Sequence, residues 1–280
     1  MKLYSILTGN LKLDGGAMFG VVPKVMWSKL YPCDENNLCN WSMRCLLVDT
    51  GNRKVLIDCG IGDKQSQKFM GHYYLNGDDT LDGSLENAGF TAGDITDVIL
   101  THLHFDHAGG AIRWNDDKTD YLPTFPNATY WTSRQQWEWA TNPNNREKAS
   151  FLRENILPIK EKGMLKLIDG EAEIISGISI RLFHGHTEGQ VIPFVRYNGK
   201  TIVYMADLLP STAHIPLPYV MSYDTRPLIT LEEKEKFMIE AAEKGYILFF
   251  EHDIFNECCT VEMTEKGVRM KEAFTLTDIL

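Results

Sequence analysis

The sequence predicts an α/β protein, and three observations support this fold class. Short apolar, β-branched runs that are typical of buried strands lie at residues 97–101, 177–183, 201–205 and 246–250. A side chain of metal-binding type follows each run, and α/β proteins place their sites at the carboxyl ends of strands. Residues 230–233, Thr-Leu-Glu-Glu, have the spacing of a capping box and predict a helix that Gly245 can end.

The remaining elements follow in chain order. Residues 1–9 predict a short first strand, and further strands are expected at 43–49 and 54–58. Residues 14–27 are apolar and rich in glycine, and they are too irregular for a helix. A helix should begin at Thr132 or Ser133, and a second run of strands should begin near Leu165. We expect the 280 residues to form one domain, residues 1–280.

Residues 101–110, Thr-His-Leu-His-Phe-Asp-His-Ala-Gly-Gly, carry the strongest chemical signal in the chain. Four potential metal ligands fall within six positions: His102, His104, Asp106 and His107. An H-x-H-x-D-H pattern should arise by accident in a chain of this length about once in a thousand cases or fewer. Histidine and carboxylate ligands without a thiolate suit zinc, manganese, iron or cobalt, and they argue against a closed structural zinc site. The segment therefore predicts an open, catalytic metal site.

Further potential ligands stand singly at the exits of predicted strands. His184 and His186 follow residues 177–183, Asp207 follows residues 201–205, and His252 follows residues 246–250. A single histidine after a strand is more often a hydrogen-bonded surface or core residue than a ligand. Three such exits in succession favour a ligand set.

With these residues the chain resembles the metallo-β-lactamase-fold hydrolases, and within them the quorum-quenching N-acyl homoserine lactonase-like branch. The resemblance implies a four-layer αβ/βα sandwich built from two similar halves. It also implies two divalent metal ions, with zinc expected and iron, manganese or cobalt as alternatives. By motif, one ion would take His102, His104 and His186, the other Asp106, His107 and His252, and Asp207 would bridge both.

Three finer assignments come from the same resemblance. His186 is preferred to His184 because residues 185–189 resemble the family's G-H-T-P-G segment, although Glu188 stands in place of the proline. Asp58 resembles the aspartate of an early D-x-G element, which supports a histidine ligand; a simple turn cap is the alternative. Asp106 would be the catalytic residue, binding a metal and shuttling a proton.

The resemblance implies hydrolysis, because two cations that share a hydroxide provide a nucleophile at neutral pH and polarise the bond that breaks. The expected substrate is a small-molecule ester or lactone, with N-acyl homoserine lactones favoured. A phosphotriesterase or phosphodiesterase that uses the same metal pair is the alternative. A redox di-iron protein ranks lower, because redox members of the superfamily usually carry a glutamate where this chain has His104.

Two segments are candidates for the substrate wall. Residues 14–27 resemble a stretch found in quorum-quenching lactonases, and a covered connection in the core is the alternative. Residues 208–227 form the second segment. Several lactonases place a tyrosine shortly after the bridging aspartate, whereas Leu208 and Leu209 stand here. The predicted substrate-binding residues are Met18, Phe19, Met26, Trp27, His214 and Tyr223.

Charge and hydropathy limit the partners that the sequence favours. The net charge is −10 and the 28 lysines and arginines are dispersed, which disfavours nucleic acid because phosphate binding needs a concentrated basic surface. Residues 1–9 have too short an apolar run for a signal peptide, and no segment approaches the ~18 apolar residues that span a bilayer. We therefore expect a cytoplasmic enzyme without a membrane partner, and a homodimer stays open.

Overall fold

The computed structural model describes residues 1–279. Backbone contacts divide the chain into two compact units. Unit 1 contains residues 1–10 and 43–170, and unit 2 contains residues 11–42 and 171–279. The single domain that the sequence predicts stays a prediction.

Unit 1 contains a six-stranded sheet, except for the sheet's residues 11–14 and 38–42, which belong to unit 2. In the order in which they lie, its strands are β1 (Lys2–Asp14), β2 (Leu38–Asp49), β3 (Lys54–Ile57), β4 (Asp97–Ile99), β7 (Thr129–Ser133) and β8 (Leu165–Ile168). Four neighbouring strands of this sheet, β3, β4, β7 and β8, are parallel, so their carboxyl ends share one edge of the sheet. A separate antiparallel pair consists of β5 (Ile112–Trp114) and β6 (Tyr121–Pro123).

Five helices accompany this sheet. They are α3 (Gln67–Met70), α4 (Leu81–Asn87), α5 (Phe105–Ala108), α6 (Arg134–Thr141) and α7 (Arg153–Glu161). Leu56 and Val98 from the sheet, Leu85 from α4, Trp137 from α6 and Ile159 from α7 belong to one buried apolar cluster. The burial of this shared surface stabilises the helices on the sheet. Unit 1 therefore has a hydrophobic core of its own.

Unit 2 is built on a seven-stranded sheet. In spatial order, its strands are β15 (Gly267–Phe274), β14 (Cys258–Thr264), β13 (Ile247–Phe249), β12 (Lys200–Tyr204), β11 (Gln190–Tyr197), β10 (Ile178–Phe183) and β9 (Ala172–Ile175). β10 and β12 are both antiparallel to β11, and β12 is parallel to β13. The exits of β10, β12 and β13 therefore lie at the same edge of the sheet.

Among its described residues, unit 2 also contains three α-helices. The first two are the one-turn helices α1 (Gly15–Phe19) and α2 (Lys24–Trp27), so the expectation that residues 14–27 hold no helix was wrong. The side chain of Asp14 caps α1 by accepting a hydrogen bond from the backbone of Ala17. This local bond gives the helix its turn although the segment lacks a helical period. The third is α8 (Pro227–Lys244), whose Phe237 packs against Phe183 and Phe194 of the sheet.

The structure corrects two predicted boundaries. α8 begins at Pro227 rather than at the capping-box spacing of residues 230–233, because proline is well suited to the first position of a helix. Its predicted end is confirmed at Gly245, which has a φ of 65°. β1 is longer than the short strand expected at residues 1–9. No helix among residues 1–279 is both long enough and apolar enough to cross a membrane.

Candidate metal centre

The four ligands predicted by the H-x-H-x-D-H motif lie in unit 1, directly after β4. His104 is the N-cap of α5, and Asp106 and His107 lie in the first turn of this helix. The side chains of all four residues, His102 included, are buried. The motif ends in two glycines because a Cβ at either one would lie 2.1 Å from a backbone oxygen of residues 59–61.

The rings of His102 and His104 face each other through one nitrogen each, since His102 Nε2 lies 3.0 Å from His104 Nδ1. The opposite nitrogen of each ring has an acceptor. His102 Nδ1 lies 3.1 Å from the hydroxyl of Thr101, and that hydroxyl donates its own proton to Asp58. His104 Nε2 lies 2.9 Å from a carboxylate oxygen of Glu147. Protons on these outer nitrogens leave lone pairs on the two that face each other.

Asp58 fixes the third histidine of the motif. Its Oδ2 lies 3.1 Å from His107 Nδ1, and its Oδ1 accepts a hydrogen bond of 2.8 Å from the backbone N–H of Thr101. Asp58 has a φ of 58°, a left-handed conformation that is uncommon outside glycine and that these bonds stabilise. A proton on His107 Nδ1 leaves Nε2 available as a ligand. The effect of Asp58 on metal binding stays a prediction.

Unit 2 brings its three predicted ligands together at the shared edge of its sheet. Asp207 follows β12 after Ala206, whose φ of 41° makes a sharp bend at the strand exit. His186 Nε2 lies 3.0 Å from Asp207 Oδ2, and His252 Nε2 lies 3.1 Å from Asp207 Oδ1. All three side chains are buried. Asp207 therefore has one histidine nitrogen at each carboxylate oxygen.

The outer nitrogens of His186 and His252 also have acceptors. His186 Nδ1 lies 2.8 Å from Asp224 Oδ1, and His252 Nδ1 donates to the backbone oxygen of Ser42 at 2.8 Å. Each Nε2 atom faces an oxygen of Asp207, so a proton or a metal ion is needed between the nitrogen and the oxygen.

This donor set fits divalent metal ions. In both units, atoms that carry lone pairs lie 3.0–3.1 Å apart in a buried setting, where a proton or a metal ion is needed to offset their repulsion. Histidines that bind metals typically donate their other N–H group to a carboxylate or a carbonyl oxygen. In this chain His104, His107, His186 and His252 do so. The residues present therefore suit the ions that the motif predicts.

The charges around His186 also favour a bound cation. Burial lowers the pKa of His186, but Asp207 and Asp224 outweigh burial and raise that pKa to about 10. The surrounding carboxylates therefore stabilise a positive charge at this ring. A bound cation supplies such a charge without a proton.

His184 lies in a different setting from His186. Its Nδ1 lies 2.6 Å from Glu188, and about a third of its side chain is exposed. Glu188 also pairs with Arg226. The glutamate that replaces the family's proline thus ties His184 and the segment before α8 to the loop of His186.

The predicted substrate-binding residues all lie in unit 2 but differ in exposure. Met18, Phe19 and Trp27 are buried, and the rings of Phe19 and Trp27 stack at 5.0 Å. Met26 and Tyr223 are exposed. Of the six residues, Met26 and Tyr223 are therefore accessible to a ligand. The buried rings of Phe19 and Trp27 instead stabilise the segment of residues 14–27 through their packing.

His214 is buried, and both of its ring nitrogens have partners. Nδ1 accepts from the hydroxyl of Ser211 at 2.8 Å, and Nε2 donates to the backbone oxygen of Met18 at 2.9 Å. Its ring stacks on Phe19 at 4.6 Å. Burial lowers the pKa of His214 to about 3, so the ring is neutral. These contacts hold α1 in place, and a direct role of His214 with substrate stays a prediction.

Sequence reasoning missed three residues around the ligands. Glu147 and Asp224 accept from ligand histidines, and each is far along the chain from the histidine that it contacts. Tyr73 packs against Phe105, the residue before Asp106, with ring centroids 4.6 Å apart. No motif marks these positions, because chain folding alone brings them to the ligands.

Comparison with known proteins assigns the family. The sequence profile of the Metallo-beta-lactamase superfamily matches residues 44–250, which is more than half of the chain. The chain belongs to this superfamily. Its predicted fold class is thereby confirmed, and so is its predicted class of enzyme, a metal-dependent hydrolase.

Relatives within the superfamily match almost the full chain. The N-acyl homoserine lactonase of Bacillus thuringiensis is 24% identical over 269 residues, which cover 91% of this chain and 94% of that protein. A probable metal-dependent hydrolase from Staphylococcus aureus is 30% identical, with a TM-score of 0.86 and 98% of each chain covered. AidC, a dizinc quorum-quenching lactonase, is 22% identical with a TM-score of 0.80; 98% of this chain and 95% of that chain are covered. At this identity, the likeness to AidC shows the fold.

Proposed function

We propose that this chain is a dinuclear metal-dependent lactonase that opens the ring of N-acyl homoserine lactones. The metal centre is supported by buried ring nitrogens of the predicted ligands that lie 3.0–3.1 Å from another ring nitrogen or from a carboxylate oxygen of the same ligand set. The lactone substrate is supported by the relatives, since the lactonase of Bacillus thuringiensis aligns over 94% of its own length.

The proposed ligands follow the superfamily motif. His102, His104 and His186 would hold one ion, Asp106, His107 and His252 would hold the other, and Asp207 would be shared. Zinc is the expected metal, because imidazole and carboxylate ligands suit it. Two such ions lower the pKa of a shared water and polarise the carbonyl oxygen of a bound ester.

The residues of the chain would then guide proton transfer. In lactone hydrolysis, water adds to the carbonyl carbon and the bond to the ring oxygen breaks, so that oxygen must receive a proton. Asp106 lies in the first turn of α5 beside the ligand His107. We assign its carboxylate to receive the proton of the attacking water and to pass it to the ring oxygen.

An apolar surface in unit 2 suits the acyl chain. Val21, Val25 and Met26 lie in or beside α1 and α2, and they are 93%, 72% and 51% exposed. These three exposed apolar side chains lie within six positions of the chain and form the apolar patch to which an acyl chain would bind. We therefore assign the acyl contact to this patch rather than to the buried Phe19 and Trp27.

The direct test is proton release when N-hexanoyl and N-decanoyl homoserine lactones are added to zinc-loaded protein. We expect both lactones to be opened, and Asp106→Asn should lose most of the turnover while the protein stays folded. Asp82→Asn is the matched control, because Asp82 pairs with Arg113 and its side chain is 57% exposed. This control should retain the activity of the natural chain.

Two outcomes would contradict the proposed substrate or the proposed role of Asp106. Fully metallated protein that opens neither lactone would reject this substrate class, and phosphotriesters and phosphodiesters on the same protein would then test the alternative hydrolase. Undiminished turnover in Asp106→Asn at full metal occupancy would remove Asp106 from the proton transfer.

A further inference from the structure

A buried carboxylate outside the motif is held against the second motif histidine. The side chain of Glu147 is 3% exposed, and its Oε1 lies 2.9 Å from His104 Nε2. Its Oε2 accepts from the indole N–H of Trp139 at 2.5 Å and from the amide of Asn144 at 3.2 Å. Because both oxygens accept hydrogen bonds, the arrangement suits an ionised carboxylate.

The segment around Glu147 holds the carboxylate in this position. Asn144 Oδ1 accepts from the backbone N–H groups of Arg146 and Glu147, at 2.8 and 3.1 Å. The ring of Phe151 packs 4.9 Å from the ring of His104. Residues 144–151 therefore enclose the outer side of the His104 ring with one carboxylate and one aromatic face.

The contact decides which nitrogen of His104 carries the proton. An acceptor 2.9 Å from Nε2 stabilises the proton on that atom and leaves the lone pair on Nδ1. Nδ1 is the atom that faces His102 Nε2 at 3.0 Å. His102 faces His104 through Nε2, whereas His104 faces His102 through Nδ1. The two histidines therefore offer different ring atoms to a metal ion bound between them.

We infer that Glu147 is a positioning residue that sets His104 to bind its metal through Nδ1 and strengthens the binding of that metal. The inference rests on the proposed metal centre, and it needs no particular substrate. Neutralising the carboxylate in Glu147→Gln should weaken zinc binding about 10- to 100-fold, the usual effect of losing a partner of a metal-binding histidine. Turnover should recover when enough free zinc is added to refill the site.

The test combines a zinc titration against a competing chelator with ¹⁵N spectra of the histidine rings. In the natural protein loaded with zinc, the ring of His104 should show a proton on Nε2 and a metal on Nδ1. Glu138→Gln is the matched control, because Glu138 is an exposed glutamate of α6 in the same unit. It should bind zinc as the natural chain does.

The outcomes separate this inference from the lactonase proposal. Equal zinc affinity in Glu147→Gln and Glu138→Gln would overturn the inference, and so would a metal on Nε2 of His104. If Glu147→Gln fails to fold, the ring spectra of the natural protein still decide the assignment of the two nitrogens. Zinc affinity and ring spectra are measured without substrate, so an inactive enzyme toward lactones would leave the inference standing.

Discussion

Each predicted metal-binding histidine has two ring nitrogens, of which one is assigned to the proposed metal and the other to a hydrogen bond. The sequence predicts the metal contact through the H-x-H-x-D-H motif and the strand exits. The hydrogen-bond partner is invisible in sequence, because Glu147 and Asp224 lie 43 and 38 positions from their histidines. Asp58 is the exception, since it lies in a recognisable D-x-G element.

We expect Tyr73, which packs against Phe105 near Asp106, to donate a hydrogen bond to the substrate carbonyl. Burial, and then the nearby charge of Asp106, raise the pKa of Tyr73 to about 12, so its hydroxyl stays protonated and able to donate at neutral pH. Tyr73→Phe should lower kcat/KM for lactones about 3- to 10-fold, the loss expected for one hydrogen bond of about 1 kcal/mol. Steady-state kinetics of Tyr73→Phe and Tyr223→Phe measure this. A loss confined to Tyr223→Phe would give the role to the exposed tyrosine predicted from sequence.

Among the elements, α8 shows where sequence signals for helix ends succeed and fail. Gly245 ends the helix as predicted, because its φ of 65° is open to glycine at little cost. The predicted start failed because Thr-Leu-Glu-Glu is also compatible with a helix interior, while Pro227 takes the first position. Both the capping-box spacing at residues 230–233 and Pro227 are valid signals for a helix start, and the local sequence alone does not decide between them.

Replacing Gly245 by alanine measures how much free energy the left-handed backbone conformation costs a residue other than glycine. A Cβ at Gly245 would meet no atom within 4 Å, so Gly245→Ala adds strain without a clash. We expect the free energy of unfolding to fall by about 1 kcal/mol. Urea denaturation of the metal-free protein measures the change. Gly170→Ala is the control, because Gly170 also has open space but no positive φ, and an equal loss there would contradict the explanation.

Lys234 of α8 holds the segment that precedes this helix. Its ammonium donates to the backbone oxygens of Pro216, Leu217 and Tyr219 at 2.9, 3.3 and 2.9 Å. Burial lowers the pKa of Lys234 to about 7, although the charge of Asp224 opposes the change. The folded chain therefore binds fewer protons at this residue than the unfolded chain does between pH 7 and the ordinary pKa of lysine.

It follows that Lys234 makes the stability of the natural chain rise with pH across this window. As pH falls through this window, Lys234 is protonated in the unfolded chain but stays neutral in the folded chain. Protonation therefore stabilises the unfolded chain, and the free energy of unfolding decreases. We expect Lys234 to contribute a slope of up to about 1.4 kcal/mol per pH unit. Lys234→Met should remove this contribution, while Lys64, whose pKa is lowered to about 8 by burial, keeps its own. Denaturation between pH 7.5 and 9.5 measures the slope. Lys236→Met should keep it, since the Lys236 side chain is 73% exposed.

At the scale of the whole molecule, the sequence predicted the class of fold better than the residues that surround the predicted ligands. The strands at 178–183, 200–204 and 247–249 were predictable because they are apolar runs with a polar exit. The two short helices within residues 14–27 were not, since each is one turn long and has no period to detect. The sequence also could not show that Phe19 is buried while Val21 is exposed.

The whole molecule should be stabilised by the metal that the ligand set implies. Metal that binds the folded chain and not the unfolded chain adds stability with the logarithm of its free concentration, about 2.7 kcal/mol at 100 times the dissociation constant. The six cysteines of the unfolded chain can bind zinc too, and this reduces the gain. Comparison with Asp207→Ala cancels that effect, because both chains unfold to the same cysteines. We therefore expect the difference in unfolding free energy between the two chains to grow as buffered free zinc increases, and a constant difference would mean that Asp207 holds no zinc in the folded protein.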